Sequence, residues 1–479
     1  MKKIYVIIAL LVLNACTNDF DEINTNPNQP ERVPANMILT QLIMNLATFT
    51  AEHAYDRGNF ITQYTARQNF TDFDRYAWTP DDGVWNTLYG RLRDVNNLIV
   101  IAHETGNTNY EAIGLIWKSF VFSFLTDVYG EIPYSEAIKG RDGAIYSPVY
   151  DSQQSIYQGI LADLKRASEI INPSGLPIEG DIMYNNDIEK WRRFANSLRL
   201  RYLLRISNVE NVSTEMQQIV SNEPIFRNLS DQASLTYLES APNQWFTHTG
   251  RIGSFRERRM SQTIETRFET LNDPRVREYF RPTGAYVNGD WDKMFNGIPN
   301  GLGEAEALDY DGGSNFQSEL AEKYYDLPND AEALVMTYFE LQFILAEAAY
   351  RGFITGNVSE YYTNGVRSAV SYYNIDEERV DQYMAQELVQ FNSDNALEQI
   401  MLQKWIGSFM IGVEGWNDWR RTGLPEFTPA VSDDNNNRVP VRYLYPQNEQ
   451  VYNPANRIAA IGRQGSDDIN TRIWWMGPQ

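Results

Sequence analysis

Apolar residues recur at helical spacing in both halves of the chain, and this pattern constrains the fold more than any composition figure. Leu341, Ile344, Leu345 and Ala348 stand at i, i+3, i+4 and i+7, which is one face of a helix. Trp191, Phe194, Ala195, Leu198 and Tyr202 form a second such face. The pattern predicts a first helix beginning near Met37, then helices over 84–102, 110–127, 154–171 and 191–206. It returns over 332–351, 360–373, 377–391 and 397–409. The helices over 154–171 and 191–206 pair naturally as a hairpin, and Ala346, Ala348 and Ala349 permit close helix packing. The pairs do not recur at one fixed period, so spacing alone does not define a regular repeat array. Antiparallel pairs from both halves nevertheless suggest a helical-repeat scaffold holding an irregular middle.

That middle runs from about 224 to 329, where Gly and Pro accumulate and only 261–271 keeps a helical pattern. A shorter break covers 60–80, with Phe70, Phe73, Tyr76 and Trp78 set among Asp72, Asp74 and Arg75. Long loops in compact domains are usually functional or disordered. After Phe409 the chain reads mostly as a loop-rich tail wrapping the helical body, ending near Trp474 and Trp475.

The N-terminus reads as an export signal. Lys2 and Lys3 precede an apolar run from Ile4 to Leu13, too short to span a ~30 Å hydrocarbon core. Leu13, Asn14, Ala15 and Cys16 then resemble a bacterial lipobox, in which Cys16 becomes the acylated first residue. The alternative is a cleaved soluble secretory protein. Residues 1–15 are thus expected to be a signal peptide, 16–30 a polar lipidated tether, and 31–479 a single helical domain. Cys16 is the sole cysteine, which excludes an internal disulfide and a cysteine metal cluster. The net charge of −22 repels phosphate backbones and argues against a nucleic-acid partner.

The search for catalytic motifs is weak. His53, His103 and His248 are the only histidines, and no metalloprotease, nucleophile-elbow, phosphate-loop or dinucleotide pattern accompanies them. A carboxylate pair for glycoside hydrolysis stays open, because 63 acidic residues supply many pairs and only geometry selects one. Asp309 to Gly313 resemble the opening of a calcium loop, but its twelfth position is Leu320, so a turn is the better reading. No metal and no cofactor is expected. For binding, the useful feature is aromatic residues in loops beside amides and charges, since a pyranose offers an apolar face to a ring and hydroxyls to polar groups. Tyr76, Trp78, Asn243, Trp245 and Trp291 are the candidate ligand-binding residues. The competing reading is that these side chains pin their own loops to the body.

Several blocks together resemble the SusD/RagB family of surface lipoproteins of Bacteroidota. They are Phe124 to Ala137 (FLTDVYGEIPYSEA), Trp191 to Arg201 (WRRFANSLRLR), Gln403 to Ile406, Glu414 to Gly423 (EGWNDWRRTG), and Arg442 to Pro446 followed by Glu449 and Asn453. The resemblance covers essentially the whole chain after Cys16. It implies an all-α fold of four tetratricopeptide-like helix pairs, with irregular insertions forming the ligand site. It also implies a non-enzymatic oligosaccharide-binding lipoprotein at the outer face of the outer membrane, delivering nutrient to a SusC-like TonB-dependent transporter. A peptide-binding lid and a lipid-anchored glycosidase are the alternatives. Asp418, Arg420 and Arg421 are expected to fix C-terminal loops through charge-assisted bonds and not to touch ligand.

Overall fold

The computed structural model describes residues 33–249, 254–428, 430–431 and 434–477. The expected signal segment, the expected tether and Cys16 lie outside the described residues. Five helices build the N-terminal half: α1 (Ala35–His53), α2 (Asp82–Thr105), α3 (Thr108–Tyr129), α4 (Gln153–Ile170) and α5 (Ile188–Arg205). Four open on side-chain caps, where Asp81, Asn107, Ser152 and Asp187 accept from first-turn N–H groups. Consecutive helices from α2 to α5 pack on one another. α3 is long and apolar enough to cross a membrane by length and composition, yet here it is the buried core helix between α2 and α4.

α6 (Ser213–Asn222), which periodicity did not signal, leads into the irregular middle, where α7 (Gln262–Leu271) stands on its Ser261 cap as expected. The C-terminal helices are α8 (Tyr338–Tyr350), α9 (Val358–Ser371), α10 (Glu377–Met384), α11 (Ala396–Gly407), α12 (Glu414–Thr422), α13 (Gln447–Tyr452) and α14 (Pro454–Gln464). α8 packs against α9, α11 and α5, which joins the two halves. The fold is all-α and tetratricopeptide-like, with short strands only. One hydrophobic cluster runs through it from Ile38 to Met476.

Two expectations need correction. The helix over 332–351 opens instead as a strand, Glu332–Met336, antiparallel to Ala233–Thr236. A distant partner strand supplies the hydrogen bonds, and Thr337 then caps α8 by accepting from the Glu340 N–H. The helix over 377–391 stops at Met384, and the Tyr362 hydroxyl holds the following turn by donating to the Val389 carbonyl at 2.9 Å. The tail carries α12, α13 and α14, and most of its other described residues are loop and turn, as the sequence suggests.

The two halves are also joined by buried charges. On α5, Arg201 makes paired bonds to Glu340 of α8 at 2.5 and 2.7 Å, and Arg205 bonds Asp127 of α3 and Glu414 of α12. On α12, Arg421 bonds Glu347 of α8 at 2.6 Å and Asp418 at 3.0 Å, while Asp418 also meets Lys404 of α11 at 2.7 Å. Burial pushes the Asp418 carboxyl up, but Lys404, Arg421 and Arg205 outweigh it and hold the group well below the usual carboxylate range. Arg420 donates to the Asp127 carbonyl at 2.6 Å and to the Val441 carbonyl at 2.9 Å. Arg420 therefore ties down a C-terminal loop, whereas Asp418 and Arg421 lock helix to helix.

A candidate ligand ridge on three loops

Past His53, α1 widens into the π-helical turn Ala54–Gly58 and hands the chain to the strand Thr65–Arg67. A Cβ on Gly58 would lie 2.0 Å from the Gly412 carbonyl oxygen, so only glycine lets the two backbones meet here. Thr65–Arg67 pairs antiparallel with Arg258–Met260, which anchors the first loop to the irregular middle. Beyond the strand, buried amides take over. The Gln68 side chain donates to Gln317 at 2.9 Å and to Ser314 at 2.6 Å, and accepts from Arg259 at 2.8 Å. Asn296 donates to the Phe316 carbonyl at 2.7 Å and to Asp311 at 3.2 Å. Asn300 donates to the Thr65 carbonyl at 2.9 Å and to Asp74 at 2.7 Å. Three loops, around 67–76, 284–300 and 304–317, are thereby fixed against one another.

Aromatic side chains crown this framework. Phe70 is 59% exposed and holds φ at +55°, a left-handed conformation that costs a non-glycine residue energy. Its N–H donates to Asn69 at 3.1 Å and, longer, to Glu304 at 3.4 Å. Trp291 is half-buried and sits edge-on to Phe316 with ring centroids 5.3 Å apart. Gln68 bonds Ser314 at one end of the turn Ser314–Phe316 and Trp291 packs on Phe316 at the other, so the loops that carry Phe70 and Trp291 both meet this three-residue turn. Half-buried Tyr310 lies in the same loop cluster. Rings presented on a pre-ordered polar base suit stacking on a flat ligand face.

The other sequence candidates go elsewhere. Tyr76 is buried. Half-buried Trp78 stacks on Phe73 at 4.8 Å, nearly parallel, and donates its Nε1–H to the Phe73 carbonyl at 2.9 Å. It forms one wall of a separate cleft of about 270 Å³ that also holds the Arg57–Asp81 ion pair and Tyr443. Trp245 is fully buried and donates to the Tyr324 carbonyl at 3.3 Å, so its ring pins the loop at the back of the groove that also holds Asn243. Asn243 stands on a groove beside α1. The structure therefore does not gather the five candidates into one site, and only Trp291 reaches the ridge. Phe70 and Phe316 were missed as candidates. The signal available in sequence was only that Phe70 lies in a polar loop, and its backbone conformation is not legible there.

Asp74 is the titratable clasp under the ridge. Burial raises its carboxyl to about 6, against hydrogen bonds from Asn300, Arg67 and Gly301 that hold it down. Its pKa in the folded chain exceeds the unfolded value, so the native state binds this proton more tightly. The contribution to stability is full at low pH and is lost as pH rises through about 6. Lowering the pH from 7.5 to 5 should stabilise the wild type by about 1 kcal/mol relative to Asp74→Asn. Urea unfolding of both proteins at the two pH values checks this, and a pH-independent difference would contradict it.

A helix-pair scaffold carrying a rigid aromatic ridge, with His53 buried against the Tyr443 hydroxyl at 2.9 Å, is the layout of a binding protein built on tetratricopeptide-like helices. The sequence model for SusD-like proteins, described as starch-binding and associating with the outer membrane, matches residues 27–446, and the chain belongs to this family. A SusD homologue from Bacteroides fragilis is 28% identical with a TM-score of 0.80, the match covering 94% of this chain and 100% of that one. A chitin-binding protein is also 28% identical, with a TM-score of 0.80 and coverage of 92% and 98%. A chitin-binding SusD homologue from Flavobacterium johnsoniae, 21% identical with a TM-score of 0.79 and coverage of 93% and 99%, shares the fold. No curated protein sequence matches the chain.

Proposed function

We propose that this chain is a non-enzymatic oligosaccharide-binding lipoprotein on the outer face of the outer membrane, which captures a glycan and passes it to a SusC-like TonB-dependent transporter. In this reading Cys16 carries the lipid, residues 1–15 are removed, 16–30 tether the protein, and the rest is one binding domain. The observation that carries the reading is Phe70, an aromatic side chain held in solvent in a left-handed backbone conformation, on a loop that buried amides fix against its neighbours. Family membership and the similarity to a chitin-binding protein support a glycan as the ligand class. Trp291 and Phe70 are the proposed stacking residues.

Affinity electrophoresis through gels containing starch, glycol chitin, xylan or β-glucan, with a tryptic casein digest as competitor, tests the ligand class. Retardation by at least one polysaccharide is expected. No retardation in any gel together with a rise in melting temperature on adding the digest would overturn it in favour of a peptide-binding lid, and new reducing ends would establish a glycosidase. Cys16→Ser should move the protein from the membrane fraction to the soluble fraction without changing its melting temperature. Continued membrane fractionation would refute the lipid anchor.

A further inference from the structure

The groove that holds Asn243 has the composition of a ligand site of its own. It lies between α1, α2 and the loop before Trp245, with a volume of about 440 Å³. Half-buried Met44 and Phe246 give it an apolar floor. Four polar side chains on it keep hydrogen-bonding capacity. The Asn45 Nδ2 atom is buried with no acceptor, which leaves a donor desolvated at a cost of ~1–3 kcal/mol. Among the described residues, Arg91 has only a 4.0 Å contact with Asp94. Among the described residues, no bond from the Asn243 amide or the Glu52 carboxylate is seen. By contrast Thr48, on the same wall, is spent on the Tyr237 hydroxyl at 2.8 Å. Desolvation, with Asp56 adding to it, raises the Glu52 carboxyl, while Arg91 across the groove opposes the shift.

We infer that this groove is a second carbohydrate site, separate from the Phe70–Trp291 ridge and taking a neutral sugar unit. Two amides, one carboxylate and one guanidinium supply both donors and acceptors, as a ring of hydroxyls requires, and the single acid balances the single base. The aromatic edge of Phe246 and the thioether of Met44 offer an apolar surface to the C–H face of the sugar. Two sites on one rigid body bind a polymer more tightly than either site alone, provided one chain spans both.

The inference rests on glycan binding at the ridge, and the test separates the two. Affinity electrophoresis uses the four polysaccharide gels named above, with wild type, Phe70→Ala/Trp291→Ala, Asn243→Ala/Arg91→Ala, and the fourfold variant. The groove variant is expected to weaken retardation by about tenfold or more, while leaving the affinity of the short oligosaccharide for the ridge unchanged. The ridge variant is expected to keep a residual retardation that the fourfold variant loses. Loss of all retardation in the ridge variant, or a residual that survives in the fourfold variant, would overturn the second site and leave the ridge standing. No retardation of the wild type in any gel would overturn glycan binding itself. Melting temperatures equal to wild type keep the groove result interpretable, since Asn243 and Arg91 lie outside the core.

Discussion

Arg421→Met lowers the free energy of unfolding by about 3–5 kcal/mol, a large share of what holds a single domain together. The side chain is 1% exposed and its partner Glu347 is fully buried, so removing the guanidinium leaves a carboxylate in the interior with only Arg351 at its edge. Asp418 loses one of its two cations in the same step. The size of the effect comes from the stranded charge more than from the bond. The double variant Arg421→Met/Glu347→Met should therefore recover part of the loss, because it removes both members of the pair. Urea unfolding followed by circular dichroism measures all four corners of the cycle. A single-variant loss below about 1 kcal/mol would show that the seam between α8 and α12 tolerates an unpaired carboxylate.

Phe70→Ala and Trp291→Ala should each weaken oligosaccharide binding by about 1–3 kcal/mol, roughly ten- to a hundredfold, with little change in melting temperature. Phe70 leaves more than half its surface in water, so truncation opens no cavity. Trp245→Ala makes the contrast. It empties a fully buried site and should cost ~3–5 kcal/mol of stability, with any binding defect following from the loop it releases. Titration calorimetry with the oligosaccharide selected on the gels reads the first pair, and thermal melting reads the third. Unchanged affinity in both ridge variants would place the stacking surface elsewhere.

Much of the scaffold was legible because helices are local. Trp191, Phe194, Leu198 and Tyr202 announce one buried face within three turns of chain, and α5 forms there with that face inward. Glu332–Met336 was misread because its strand character depends on a partner about a hundred residues upstream, which no window of sequence contains. The site follows the same division. An aromatic residue in a polar loop is visible in sequence, but whether its ring turns inward, as at Trp245, or outward, as at Phe70, is set by contacts from other loops. The amides that fix those loops, Gln68, Asn296 and Asn300, look like ordinary loop residues until their partners are known. The charge seam was half legible. The cluster Asp418, Arg420 and Arg421 reads as structural, while its partner Glu347, and the Glu340 that pairs with Arg201, sit on a helix whose apolar periodicity attracts all the notice.

The apolar length of α3 bears on the export that the proposed function requires. A secreted polypeptide crosses the inner membrane unfolded, and a segment of this length and composition is the one at which a translocon could release the chain sideways into lipid. Lys118 stands at its middle, where a lysine adds about 3 kcal/mol against lipid partition. In the folded protein the same ammonium group meets Asp163 of α4 at 2.8 Å. One side chain thus has two physical consequences: its charge lowers the affinity of this apolar segment for lipid, and in the fold it is half of a bond between neighbouring helices.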